Sequence, residues 1–271
     1  MNWFESVIFG VISGLTEFLP LSSYAHQQIF MHLCGQDIRD PAMNLFVHLA
    51  LALAIWRGNR SIMEQIKWEQ KANRKGVVRN TRLLADHRLV KRATLPMLIA
   101  LFIVYYIFSR FDGVLPVCIG LVLNGVILFL PERMLSGNRD ARMASTADSI
   151  LLGISGALSA IPGLSRIGCT VSYASMRGYD RKSALQWALL LSTYALGAFV
   201  VIDLINLLAG VGISAWGNIF NYVLAGIAAY SAGIVGTNFI RFLSARQKLT
   251  VFAFYSWGAS LFAFILYLSV I

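Results

Sequence analysis

Between Glu17 and His26 the sequence gathers a carboxylate, two hydroxyls (Ser22 and Ser23), a phenol (Tyr24) and an imidazole. Ser23 and His26 are three positions apart, so on a helix they share a face. An imidazole beside a hydroxyl can activate a nucleophile or act as a general acid or base. Glu17 could orient His26, accept a proton, or hold a divalent cation that bridges phosphates. The stretch, Gly14-Leu15-Thr16-Glu17-Phe18-Leu19-Pro20-Leu21-Ser22-Ser23-Tyr24-Ala25-His26, is broken by Pro20 and lies in an apolar chain. At membrane depth, ionisable and helix-breaking sequence is costly and marks a functional site; at a helix end on the lipid surface the same residues are ordinary.

A second break, Pro162-Gly163-Leu164-Ser165-Arg166, brings a forked, permanent positive charge suited to phosphate oxygens. An arginine at the centre of an apolar helix costs about 2.5–3.5 kcal/mol on insertion scales. Its role is either to bind an anion or to pair with Glu17. Ser22, Ser23 and Ser165 each follow a break and are placed to cap the next helix. Two half-helix N-termini meeting near the midplane would aim free backbone N–H groups and positive dipole ends at one point, which makes an anion site. With Ser23, His26 and Glu17 added, this is a phosphoryl-transfer site, where positioning and charge neutralisation do most of the catalysis. His48 lies inside a span and either faces the same cavity or is a hydrogen-bonded packing residue. His32 and His87 read as interface and loop residues.

The elements that must position these groups are membrane spans. Of 271 residues 57% are hydrophobic and only 13% charged, and mean hydropathy is +0.66. Soluble chains carry about 25% charged residues, so this is a polytopic membrane protein. The net charge of +10 sits mostly in loops, which suits anionic headgroups and sets orientation, and is no argument for nucleic acid. The N-terminus, Met-Asn-Trp-Phe-Glu, has no basic region of the signal-peptide kind, so the first apolar segment is expected to remain in the mature protein. Cys34, Cys118 and Cys169 are scattered and odd in number, which argues for packing rather than disulfides or metal. Trp3, Trp56 and Trp216 sit near span ends as interfacial anchors.

In chain order, residues 3–34 are split at Pro20, and each half is too short to cross a bilayer. They form a re-entrant hairpin or a single kinked span. Pro41–Trp56 is a span. Arg57–Arg92 carries eleven Lys/Arg against Glu64, Glu69 and Asp86, so it is expected to be a cytoplasmic basic loop, with an interfacial amphipathic helix around Ile62 and Ile66. Spans follow at Ala93–Ser109 and Val114–Pro131. Ser149–Met176 is broken at Pro162–Arg166 and flanked by Arg on both sides, which requires it to enter and leave on one side. Ser183–Gly210, Trp216–Phe239 and Leu249–Ile271 complete the set, with basic Arg241–Lys248 inside. The expected fold is all-α: six transmembrane helices and two re-entrant helical hairpins in one integral membrane domain, 1–271. Each half, about 1–131 and 149–271, holds a hairpin and three spans, so the halves are oppositely oriented, as in inverted-repeat transporters. A shift of 142 places Ile12-Ser13-Gly14 on Ile154-Ser155-Gly156, Pro20 on Pro162 and Ser23 on Ser165.

Both breaks resemble the signatures of one family, the undecaprenyl-diphosphate phosphatases, also called bacitracin-resistance proteins. Gly14-Leu15-Thr16-Glu17-Phe18-Leu19-Pro20-Leu21-Ser22-Ser23 matches the first, and Pro162-Gly163-Leu164-Ser165-Arg166 with Gly168 and Thr170 matches the second. The resemblance implies an enzyme of the bacterial cytoplasmic membrane, open to the outer face, that uses a divalent cation (Mg²⁺ or Ca²⁺). It would take the terminal phosphate from a polyprenyl diphosphate and so recycle the cell-envelope carrier lipid. By position, Ser23 would be the nucleophile or its close partner, His26 would assist proton transfer, Arg166 would clamp phosphate, and Glu17 would serve acid–base or metal roles. Ser13, Ser22, Tyr24, His48, Gly163, Ser165 and Thr170 are the expected substrate contacts.

The chain departs from the pattern at several places. Ser13 stands where the family has a second glutamate, Asn44 where an acid is common, and Gln186 where a glutamate is common. Tyr24-Ala25-His26 replaces Thr-Gly-His, and Ile167-Gly168-Cys169-Thr170 replaces Ser-Gly-Ala-Thr. Fewer carboxylates mean weaker cation binding and one proton acceptor fewer. The contrasting class is a lipid-phosphate transporter or flippase that keeps the anion site without the chemistry. A purely structural membrane protein would leave Arg166 and both broken hairpins without a reason. Expected partners are the polyprenyl phosphate lipids and anionic membrane lipids, with a homodimer left open.

Overall fold

A computed structural model describes residues 1–36, 40–77, 80–111, 113–134, 137–211, 218–244 and 249–270. Trp216 and residues 245–248, part of the basic stretch Arg241–Lys248, fall outside the described residues. The chain forms ten α-helices among them: α1 Trp3–Glu17, α2 Ser23–Leu33, α3 Pro41–Arg74, α4 Thr81–Phe108, α5 Val114–Phe129, α6 Thr146–Ala157, α7 Arg166–Met176, α8 Arg181–Leu208, α9 Ile219–Ser244 and α10 Thr250–Val270. Six helices are long and apolar enough to cross a membrane: α3, α4, α5 with the 3₁₀ turn that follows it, α8, α9 and α10. The protein is a multi-pass membrane protein.

The other four helices are short, with 15 residues in α1, 11 in α2, 12 in α6 and 11 in α7. At 1.5 Å per residue none reaches the ~30 Å of a hydrocarbon core. They pack in pairs, α1 on α2 and α6 on α7. The ends of the second pair lie side by side. Arg139 N–H donates to the Gly178 carbonyl at 3.0 Å, and Asp180 N–H donates to the Arg139 carbonyl at 3.1 Å. Asp148, near the start of α6, accepts from Arg177 Nε and from the Tyr179 hydroxyl, both at 2.9 Å. Burial, and then its bond to Asp148, push the Tyr179 phenol up to about 12, so it remains a donor at any physiological pH. The ends of the first pair also meet, with the Met1 amine 3.5 Å from Gln36 Oε1.

Backbone-close packing joins the short helices to the spans. α1 lies along α9 and α6 along α4. A Cβ on Gly14 would fall 2.5 Å from the Ala229 carbonyl oxygen, and one on Gly153 would fall 2.2 Å from that of Ala93. Small residues permit such approach where lipid offers no hydrophobic drive between helices. α5 packs on α10, and α3 on α8.

The basic stretch corrects the expected loop. α3 runs unbroken to Arg74 and α4 starts at Thr81, so residues 57–92 extend two spans as helices joined by a short link. The Lys, Gln, Glu and Ala content of 64–72 favours helix. Ile66 is buried, so this part of α3 packs against the protein and does not lie on a lipid surface. α3, with 34 residues, is roughly 50 Å long and exceeds the hydrocarbon core by about 20 Å.

Gly163 has a φ of +92°, a conformation that a side chain resists. A Cβ there would meet Gly120 Cα of α5 at 2.5 Å, and a Cβ on Gly120 would meet the Pro162 carbonyl oxygen at 1.8 Å. Gly120→Val is therefore expected to lower the thermal midpoint of the detergent-solubilised protein, at a cost of about 1–3 kcal/mol or more. An unchanged midpoint would contradict this packing.

Candidate functional site

The two breaks, residues 18–22 and 158–165, meet in the interior. Ser22 caps α2 by accepting from Ala25 N–H at 3.2 Å, and Ser165 caps α7 by accepting from Gly168 N–H at 3.1 Å. Ser165 Oγ also donates to the Leu19 carbonyl at 3.2 Å, which ties the second break to the first. Asn124 of α5 holds both: its Oδ1 accepts from Ser165 N–H at 3.0 Å, and its Nδ2 donates to the Pro20 carbonyl at 3.3 Å and to Ser256 Oγ at 3.0 Å. Two helix N-termini are thereby fixed beside each other.

Arg166 and Glu17 pair across the junction, Nη2 to Oε1 at 2.5 Å, with side chains only 5% and 9% exposed. The guanidinium is not used up. Its Nη1 reaches the Ser192 carbonyl only at 3.5 Å, and its buried Nε has no hydrogen-bond partner among the described residues. A buried donor without a partner is costly, and a forked guanidinium is suited to phosphate oxygens. Ser23 is held loosely, 3.4 Å from both the Ser13 carbonyl and Gln27 Nε2.

These groups border one cavity of about 570 Å³. Of the candidate residues, Glu17, Ser22, Ser23, Tyr24, His48, Ser165 and Arg166 line it, together with Gln27, Asn44, Phe199 and Asp203. Its other walls include the N-terminal end of α3 (Pro41), the C-terminal end of α4 with the turn after it (Tyr105, Ser109, Arg110), and the C-terminal part of α8 (Asn206) with Val211 beyond it. It therefore lies at the end of these spans remote from the basic helical extensions.

Four expected site residues are placed elsewhere. His26 turns toward α10: its Nδ1 is 2.7 Å from the Ser22 carbonyl, its Nε2 is 2.9 Å from the Tyr255 hydroxyl, and its ring stacks on Tyr255 at 5.6 Å. Three-residue spacing puts Ser23 and His26 near one face of α2, but packing turns only Ser23 to the cavity. Ser13 sits a turn behind Glu17, where its hydroxyl donates to the Phe9 carbonyl and accepts from Gln27 Nε2 at 2.8 Å. Gly163 is a contact with α5. Thr170 is buried with its hydroxyl unpartnered among the described residues, outside the cavity wall.

Sequence reasoning passed over Asp203 and Asn124. Asp203 Oδ2 lies 2.5 Å from His48 Nδ1. It is the only charged residue between Ser183 and Gly210, and an acid within a span is a functional signal by itself. Asn124 is likewise the lone amide in the apolar run of α5.

The donor set does not fit a cation held by the protein alone. Ca²⁺ takes six to eight oxygen ligands and Mg²⁺ six. Among the described residues no three His, Cys, Asp or Glu come together as a metal group. Of the cavity's two carboxylates, Glu17 is engaged by Arg166 and Asp203 by His48.

Known proteins align with this chain along most of its length. It is 30% identical to an undecaprenyl-diphosphatase of Methanobrevibacter smithii, with 97% of each chain covered. It is 30% identical to one of Acidothermus cellulolyticus, covering 97% of this chain and 95% of that protein. It is 24% identical to one of Halothermothrix orenii, with 98% of each covered. The family model described as Bacitracin resistance protein BacA matches residues 6–262, which include both breaks and every cavity residue named above, and the chain belongs to that family.

Proposed function

We propose that the protein hydrolyses undecaprenyl diphosphate to the monophosphate and inorganic phosphate, and so recycles the lipid that carries cell-envelope precursors. The observation that carries this reading is the meeting of Arg166, Glu17, Ser23 and two helix N-termini on one cavity. A diphosphate brings several negative charges into a low-dielectric interior, and the uncommitted Arg166 donors and both dipole ends neutralise them. Ser23 sets its hydroxyl against the terminal phosphate. Glu17 holds the guanidinium in place through Nη2. His26 holds the first hairpin against α10. The Mg²⁺ or Ca²⁺ implied by the family travels, in this reading, with the substrate phosphates, because both cavity carboxylates are paired within the protein.

We further propose that α1–α2 and α6–α7 re-enter the membrane from opposite faces, as halves of an inverted repeat in the bacterial cytoplasmic membrane. The pairing supports this: α1 on α9 is the counterpart of α6 on α4, while α5–α10 and α3–α8 pair each helix with its own equivalent. The basic extensions of α3 and α4 face the cytoplasm and meet anionic headgroups there. The cavity, at the other end, opens to the outer face.

Two measurements test this. Purified protein supplied with Mg²⁺ or Ca²⁺ should release inorganic phosphate from undecaprenyl diphosphate, and Ser23→Ala or Arg166→Ala should abolish release. Retained binding of the lipid phosphate without any release would favour a transporter instead. In a cysteine-free background, Gln36→Cys and Lys182→Cys, both at exposed positions, should be labelled by an impermeant maleimide from opposite sides of the membrane. Labelling of both from one side would remove the inverted repeat.

A further inference from the structure

The cavity contains an imidazole, and it belongs to α3 and not to the first break. His48 Nδ1 lies 2.5 Å from Asp203 Oδ2, with side-chain exposures of 20% and 7%. A carboxylate accepts and cannot donate, so Nδ1 carries the hydrogen, and in the neutral imidazole Nε2 keeps its lone pair. Nε2 has no protein partner among the described residues, and His48 borders the cavity. His26 is the opposite case. Its Nδ1 donates to the Ser22 carbonyl and its Nε2 accepts from Tyr255, so both nitrogens are engaged away from the cavity.

Phe199 fixes the plane of the imidazole. It is one helical turn before Asp203 on α8, and its ring stacks on His48 with centroids 5.2 Å apart and planes 22° apart. Arg166 Cζ lies 5.6 Å from the centroid of that same ring. One phenyl ring therefore carries both the imidazole and the phosphate-binding guanidinium. An Asp that orients an imidazole at Nδ1 and frees Nε2 is the arrangement of a general base. The chain needs one, because Ser13 occupies the position where a second carboxylate is expected, and Glu17 is committed to Arg166.

We infer that His48, oriented by Asp203, is the general base of the reaction. This rests on the phosphatase reading above. As a water oxygen bonds to the terminal phosphorus, His48 Nε2 takes one of its protons. The bond from that phosphorus to the bridging oxygen breaks, and the bridging oxygen leaves with the electron pair on the lipid monophosphate. The proton then passes from Nε2 to the released inorganic phosphate, and the imidazole is neutral again. His48 is the catalytic residue and Asp203 its positioning residue.

The test compares wild type, His48→Gln, His48→Ala and Asp203→Asn as purified proteins in detergent, reading phosphate release from undecaprenyl diphosphate. For His48→Gln, kcat should fall about 10²-fold or more while KM stays within about twofold. Added imidazole should restore part of the rate of His48→Ala but not that of Asp203→Asn, which also loses kcat with little change in KM. A gap left by a merely structural histidine would not be refilled catalytically in this way. If His48→Ala does not fold, His48→Gln and Asp203→Asn, checked for a thermal midpoint like that of wild type, carry the same comparison. Wild-type kcat in folded His48→Gln would overturn the assignment, as would imidazole rescue of His26→Ala in place of His48→Ala. A wild type that releases no phosphate would instead remove the phosphatase reading itself.

Discussion

A buried charge needs a partner, and in this protein the need is met by two residues 149 positions apart in the chain. Arg166 at the start of α7 and Glu17 at the end of α1 are each too costly to leave alone in an apolar interior. Removing one partner of such a pair costs about 3–5 kcal/mol, because the other is left uncompensated. The pair therefore requires both breaks to lie at the same depth and face each other. Other features accompany it: the caps that Ser22 and Ser165 each place on their own helix, the bond from Ser165 to the Leu19 carbonyl, and the Asn124 amide that serves both breaks. A guanidinium paired with a carboxylate through one nitrogen forms a pair that is neutral overall and leaves N–H groups outside that bond. That state suits a ligand that arrives anionic and must also leave.

Much of this was legible in the sequence, for a physical reason in each case. Proline and paired serines disrupt and restart helices by local chemistry, so both breaks could be located within a few residues. Run length and charge asymmetry depend on composition alone, so the six spans could be counted and their basic ends identified. The helical continuation of α3 and α4 past the membrane was not visible, because hydropathy falls at the membrane surface whether or not the helix does. Only the helix propensity of the stretch and the burial of Ile66 decide it.

The site was legible in its contents but not in its orientation. Spacing places Ser23 and His26 within one sector of α2, yet that helix presents several sectors to different neighbours. Ala25 and Ile29 pack toward α5 and α10, together with Val117, Leu121 and Ala263, and this fixes the rotation of α2. Ser23 and Gln27 then look toward α1 and the cavity, and His26 toward Tyr255. The converse holds for His48. Nothing near it in the chain distinguishes it from a packing histidine, because its partner is 155 positions away. Its role depends on α3 and α8 being neighbours, which is a property of the fold and not of any local segment.

The contact between Gly120 and Gly163 has a mechanical consequence. With backbone against backbone and no side chain between, there is no compressible layer through which α5 and the second break could slide. Asn124, one turn further along α5, adds a fixed link to the first break. Together α5 and the two breaks form a keystone, on which Glu17, Ser23 and Arg166 are held beside one another. A carrier that alternated between faces would have to shear this junction on every cycle. A hydrolase works with the junction still.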